Sequence, residues 1–377
     1  MTLHHRNHGT NKFNPFSQLD GRVSYSVYIR LCNCTLFIII QPAPVFDKRF
    51  KNPCFYEVCN SKVNKTKQLR CVPYFQLLGV DKCGSTDLFH RLTEHPHVLG
   101  NVGSLQKETM WWSWRRYGLW LSRYKYPKET FSDYLGYFYK ATVNISSTTV
   151  HDDVGPDWHP LITGDGTPMD FWDFTGWRDI TQNKGLDHPE VLTPHLLHHI
   201  NPNVKLIIIL RNPTQRLYSD YMFLKLGRRT GKGFHDEVGF SMSFLKHCMK
   251  NRTIESCVFD GNFISMLKAR IHVGLYSIYL KEWLKVFNKN QILILTTEDY
   301  SLNIKETLGT VFKFLELEEL PNEELERIAK IERVHKTEMK RKQGPMHKRT
   351  KDILEKFYKP YNEELAQLLH NSKFLWN

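Results

Sequence analysis

Three groups of side chains have the types and spacing to act on an anionic ligand. The first is the loop Asp81-Lys82-Cys83-Gly84-Ser85-Thr86, with a cation, a glycine and two adjacent hydroxyls. The second is Arg211-Asn212-Pro213, followed at fixed offsets by Arg216, Ser219 and Tyr221. The third is Lys107-Glu108, a charged pair just ahead of Trp111 and Trp112, which suggests a carboxylate set against an apolar wall. Two separate clusters of cations and hydroxyls suit a ligand carrying two separate anionic groups.

The surrounding elements must position these groups. Phe75, Leu77, Leu78 and Val80 predict a short strand that runs into the first loop, and Leu88, Phe89 and Leu92 predict a helix after it. A strand, a glycine-containing loop and a helix N-terminus form an anion cradle, because first-turn N–H groups lack partners and the helix dipole favours negative charge. Leu206 to Leu210 is a run of branched apolar residues, the pattern of a parallel strand buried on both faces. It stops at Arg211-Asn212-Pro213, and Thr214 to Leu226 reads as a helix. Two such mouths at the C-terminal ends of parallel strands would share one ligand.

The spacing Gly79-x4-Gly84-Ser85-Thr86 is close to the nucleotide P-loop GxxxxGK[ST], but Ser85 stands where the lysine belongs. A P-loop kinase is a rival reading, and the missing lysine argues against it. Lys82-Cys83-Gly84-Ser85-Thr86 resembles instead the 5′-phosphosulfate loop of sulfotransferases that use 3′-phosphoadenosine 5′-phosphosulfate (PAPS). Arg211-Asn212-Pro213-x-x-Arg216-x-x-Ser219-x-Tyr221 resembles their 3′-phosphate motif. The chain is similar to the Golgi carbohydrate sulfotransferases from about Asn52 to Leu369, including Gly274-Leu275-Tyr276 and Glu298-Asp299-Tyr300.

The resemblance implies an α/β, P-loop-like three-layer fold with a central parallel sheet flanked by helices. It implies a tail over 1–47 and a sulfotransferase domain over 48–377. Cys83, Gly84, Ser85 and Thr86 would hold the 5′-phosphate, with Lys82 neutralising charge on the leaving oxygen. Arg211 and Ser219 would hold the 3′-phosphate, and Lys342 and Gly344 would belong to a loop covering the nucleotide. Glu108 matches the family's general base. Lys107, Trp112, Arg115 and Arg116 suit sugar stacking and sulfate or carboxylate pairing, although core packing explains some of the tryptophans equally well. No metal is expected, since the leaving group lacks the polyphosphate charge that Mg²⁺ neutralises in kinases. The resemblance points to the 6-hydroxyl of N-acetylgalactosamine 4-sulfate in chondroitin or dermatan sulfate as the acceptor. Another glycan such as heparan sulfate, or a non-catalytic glycan-binding relative, remains an alternative.

The bulk properties agree with a polyanionic partner. The 377 residues carry a net charge of +13, which suits an acidic glycan, an anionic membrane or nucleic acid. No nucleic-acid-binding signature accompanies it, so none is expected as partner. A hydrophobic fraction of 41% supports a sizeable core.

Val23 to Ile40 is an apolar stretch interrupted by Arg30 and Asn33, poor for a span that needs ~20 apolar residues. The family's type II signal anchor in the Golgi membrane is either a weak version of this stretch or absent from the sequence. Of eight cysteines, Cys248 and Cys257 flank a polar turn and could pair; Cys54, Cys59 and Cys71 cluster before the core, with pairing open. Sequons at Asn64, Asn144 and Asn251 beside candidate disulfides suggest a secretory lumen. His195, His198 and His199 share a helical face without a fourth metal partner and read as a surface helix. Further along, Gln291 to Thr296 predicts a buried strand, and Leu354 to Leu369 a helix broken near Pro360.

Overall fold

The structure is a computed structural model that describes residues 43–60, 65–120, 123–151, 157–224, 227–333 and 344–376. Val23–Ile40, Asn64 and Lys342 lie outside the described residues. No helix among the described residues is long and apolar enough to cross a membrane.

The chain opens with an antiparallel hairpin, β1 (Cys54–Asn60) and β2 (Lys65–Cys71). A Cys54–Cys71 disulfide closes its base. The core is a five-stranded sheet of β3 (Phe75–Gly79), β4 (Val98–Leu99), β7 (Ile162–Asp165), β8 (Lys205–Leu210) and β9 (Ile292–Thr296), while β5 (Leu119–Trp120) and β6 (Arg123–Tyr124) form a separate small hairpin. The sheet order is β4-β7-β3-β8-β9, and every pairing is parallel. Helices flank it, so the expected architecture is the observed one.

β3 and β8 lie side by side in the middle and are almost completely buried. Covered on both faces, β8 carries the unbroken apolar run Leu206–Leu210, and the one polar side chain of β3, Gln76, donates to the Tyr134 hydroxyl at 3.2 Å. From β3 the chain moves out through β4 and back through β7 on one side, then crosses to β8 on the other. That reversal leaves a crevice beyond the C-terminal ends of the strands, where ligands of open α/β sheets bind.

Two expectations about single elements need correction. β9 is half-buried, with only its ends covered, because it is the edge strand of the sheet. The helix Lys348–Leu369 continues unbroken through Pro360. Proline removes one ladder hydrogen bond and usually kinks a helix. Here Leu354, Tyr358 and Leu365 are fully buried along one face, and this packing holds both halves in one element. Tyr358 donates to the Ile271 carbonyl at 2.9 Å. The second disulfide, Cys248–Cys257, is the expected pair, and Cys83 is a free buried thiol.

Candidate active site

The ends of the sheet strands open into one cleft of about 380 Å³, within the ~300–1,000 Å³ range of small-molecule sites. Lys82, Gly84, Ser85 and Thr86 line one wall, Arg211 and Ser219 another, and Glu108 a third. The three groups far apart in sequence are therefore neighbours.

The first wall follows β3. Gly84, at φ +95°, begins the helix Ser85–Leu92 and offers no side-chain cap. The first-turn amides keep their donors, and the space where a Cβ would sit at Gly84 is open. An anionic group fits this cradle. Lys82 also has positive φ, at +65°, uncommon for a residue with a side chain. The loop is held from the ends of β8 and β9. Arg211 Nη1 donates to the Lys82 carbonyl at 3.3 Å, and Thr297 Oγ1 donates to the Cys83 carbonyl at 2.6 Å and the Leu210 carbonyl at 2.9 Å. The Lys82 ammonium lies 3.7 Å from the Phe223 ring centroid. Burial pushes its pKa below the ordinary lysine range, opposed by Asp220 and Asp81 and assisted by Arg211.

The second wall follows β8. Asn212 Oδ1 accepts the amides of Thr214 and Gln215, capping the helix Pro213–Leu224. This sets Ser219 and Asp220 against the cleft. Tyr276 donates to the Arg211 carbonyl at 2.8 Å and fixes the turn. Asp220 is fully buried. Burial would raise its pKa, but Arg270, Arg216 and Lys82 outweigh that and hold it below the usual carboxylate value. Arg270 donates to Asp220 at 2.8 and 2.5 Å and to Asp81 at 3.3 Å, so one buried guanidinium joins the first loop to the second wall.

The third wall is the loop after β4. Ser104 and Glu108 exchange backbone hydrogen bonds of 2.8 Å. Asn101 Nδ2 donates to the carbonyls of Lys107 and Gly164, tying this turn to β7. Lys107 Nζ reaches Glu108 Oε1 at 2.5 Å and the Gly166 carbonyl at 2.7 Å. Behind the turn, Thr109 Oγ1 donates to Asp165 at 2.5 Å. Burial pushes the Asp165 carboxyl up to about 6, against its hydrogen bonds from Thr109 and Thr167.

Several expected residues are not brought to the cleft lining. Trp112 is 1% exposed and donates to the Tyr134 hydroxyl at 3.0 Å. It belongs to an aromatic core with Trp111 and Tyr134. Lys107 is buried behind Glu108 and orients it. Arg115 pairs with Glu129 at 2.9 Å, and Arg116 lies against Tyr117 and Thr193. The Cys83 side chain is fully buried under the loop. Gly344 is exposed, its carbonyl accepting from Tyr218 at 2.8 Å. Asn144 and Asn251 are exposed, as glycan attachment requires.

The cleft also contains residues that sequence reasoning missed. Arg270, Asp220, Phe223, Trp120 and Arg333 all line it. A signal for Arg270 existed: an acid at Asp81 in the first anion-binding loop and another at Asp220 on the helix after the second require a buried cation nearby.

Residues 74–363 match the sulfotransferase domain family. The chain belongs to the sulfotransferase family. It is 34% identical to human carbohydrate sulfotransferase 15 over 350 residues, covering 88% of this chain and 60% of that protein. The mouse protein of the same name is 33% identical, with the same coverage. This sulfotransferase chain therefore spans about 60% of the length of those relatives. A bifunctional heparan sulfate N-deacetylase/N-sulfotransferase of Drosophila melanogaster is 23% identical over 76% of the chain and 23% of its own length. Among solved structures, a sulfotransferase from Alicyclobacillus acidocaldarius aligns with 80% of this chain and 96% of its own, at 18% identity and a TM-score of 0.47.

Proposed function

We propose that this chain transfers a sulfuryl group from PAPS to a hydroxyl of a sulfated glycan. The observation that carries the reading is the convergence of an uncapped helix N-terminus with Lys82, the Arg211–Ser219 wall and Glu108 on one cleft. Bound PAPS supplies an activated sulfuryl group and leaves as adenosine 3′,5′-bisphosphate. The amides of Gly84, Ser85 and Thr86 hold the 5′-phosphate. Lys82 neutralises charge on the oxygen between phosphorus and sulfur as that bond breaks. Arg211 and Ser219 hold the 3′-phosphate. Glu108 takes the proton of the acceptor hydroxyl as its oxygen bonds to sulfur.

The finer acceptor assignment is the 6-hydroxyl of N-acetylgalactosamine 4-sulfate in chondroitin or dermatan sulfate, supported by the family resemblance. The net charge of +13 suits such a polyanion. A Golgi lumen is supported by the two disulfides and the exposed sequon residues Asn144 and Asn251.

Labelled PAPS offered with a panel of chondroitin, dermatan and heparan sulfates tests the reading. Transfer to the galactosaminoglycans is expected; ATP turnover without transfer would replace it with a kinase. The nucleotide wall has its own test. Arg211→Ala should weaken adenosine 3′,5′-bisphosphate binding by about 10- to 100-fold, the loss of a charge-assisted hydrogen bond. Ser219→Ala should lose about ten-fold, and neither should alter glycan affinity. Calorimetry returning wild-type nucleotide affinity for both would remove them from the site.

A further inference from the structure

The hairpin of β5 and β6 stands beside the Glu108 wall. Its register pairs Trp120 with Arg123. Residues directly opposed across antiparallel strands project from the same face, so Trp120 and Arg123 share one face of the hairpin. Trp120 lines the cleft with Trp114, Leu105, Met110 and Glu108. The two indoles are 5.0 Å apart at 57°, and Trp114 Nε1 is fixed by a 2.6 Å bond to Asp173. Arg123 is exposed.

The hairpin is anchored at its root. The amides of Lys125 and Tyr126 both donate to the Gly118 carbonyl, at 2.8 and 3.1 Å. Gly118 sits at φ +72°, and a Cβ there would lie 2.4 Å from the Tyr126 carbonyl oxygen, so only glycine permits this closure. Arg115 serves the same end, since its carbonyl accepts from the Glu129 amide and its guanidinium pairs with the Glu129 carboxylate. A fixed aromatic surface with an exposed cation on the same face is the equipment for a charged sugar. The C–H face of a pyranose packs on an indole, and a guanidinium takes a carboxylate or sulfate ester in bidentate fashion.

We propose that Trp120 and Arg123 form an acceptor subsite that stacks one pyranose of the glycan and pairs with its anionic substituent, beside the residue whose hydroxyl faces Glu108. The proposal rests on the sulfotransferase reading, and it names the feature that selects an anionic glycan over a neutral one.

The test uses the full chain and reads binding directly, by calorimetry with a chondroitin sulfate hexasaccharide in the presence of adenosine 3′,5′-bisphosphate. Arg123→Ala, an exposed change that leaves the fold intact, should weaken hexasaccharide binding about ten-fold, the worth of one charge-assisted contact. The loss should vanish with a hexasaccharide whose sulfates are removed and carboxylates reduced. Trp120→Ala should weaken binding of both forms, with nucleotide affinity unchanged in each variant. Hexasaccharide affinity within about two-fold of wild type in both variants would overturn the subsite. So would a Trp120→Ala variant that loses only nucleotide affinity, which would make the indole an adenine wall. If wild type transfers no sulfate to any glycan yet these binding losses occur, the subsite stands and the reaction falls.

Discussion

Glu108→Gln should lose ~10²–10⁴-fold in sulfate transfer, the usual contribution of a general base, with nucleotide affinity close to wild type. The amide keeps the shape of the carboxylate and can still accept the Lys107 ammonium, which now lies 2.5 Å from Oε1. What it loses is the ability to take a proton at neutral pH. The neighbouring wall explains why the effect should stay confined to turnover. Asn101 and the Ser104–Glu108 backbone pair hold the turn through main-chain atoms, so a change of side-chain chemistry does not move it. Sulfate transfer and adenosine bisphosphate binding measured on one preparation decide the matter. Transfer within a few-fold of wild type would show that the acceptor proton goes elsewhere.

Lys82→Ala should lose about 10²–10³-fold in transfer, the typical effect of removing one donor to a developing anion, together with some nucleotide affinity. Loss of both distinguishes it from Glu108→Gln. A pH effect accompanies it. In the proposed reaction Lys82 must be protonated to neutralise the leaving oxygen, and burial lowers its pKa against the pull of Asp220 and Asp81. The charged form is therefore lost at a lower pH than for a free lysine. The kcat/KM for PAPS, which reports the free protein, should fall on the alkaline side before the ordinary lysine range near ~10.4. Lys82→Arg, whose charge persists above pH ~12, should flatten that limb even if the rate is low. An alkaline limb unchanged in Lys82→Arg would assign the titration to another group.

The parts of this molecule legible in sequence are those whose physics is local. The run Leu206–Leu210 announces a strand buried on both faces, because such a strand has no need of alternation. The cradle at Gly84 and the strand stop at Arg211-Asn212-Pro213 are also local, since the groups that make each belong to one turn of chain. β9 misleads because Ile292 to Leu295 is as apolar as β8, and only the sheet order reveals it as an edge. Pro360 misleads because a continuous buried face can hold a helix that local propensity would break.

The Glu108 wall is the hardest part to read from sequence. Its turns are made by Leu105, Gln106 and Met110, all at positive φ and none of them glycine. Composition gives no hint of such reversals, and they decide which indole meets the cleft. Trp112 does not reach the cleft, Trp114 and Trp120 line it, and Arg115 and Arg116 are spent on Glu129 and Tyr117. Arg270 lies far in sequence from the two acids it joins, and no spacing rule connects them.

The buttress behind Arg211 has a consequence for biosynthesis. Tyr276, which fixes the Arg211 turn, packs against Trp376 at 6.0 Å between ring centroids. The helix Lys348–Leu369 bonds through Tyr358 to the segment just before Tyr276. Chains emerge from the ribosome N-terminus first and fold progressively. The cradle at Gly84 and the Glu108 turn can assemble against β3 and β7 early, whereas the Arg211 wall must wait for residues 348–376. In the proposed reading, a nascent chain halted before them would carry a formed cradle for one phosphate and a loose grip on the other. Capture of stalled chains on an adenosine bisphosphate matrix should therefore begin only once that last helix has cleared the exit tunnel.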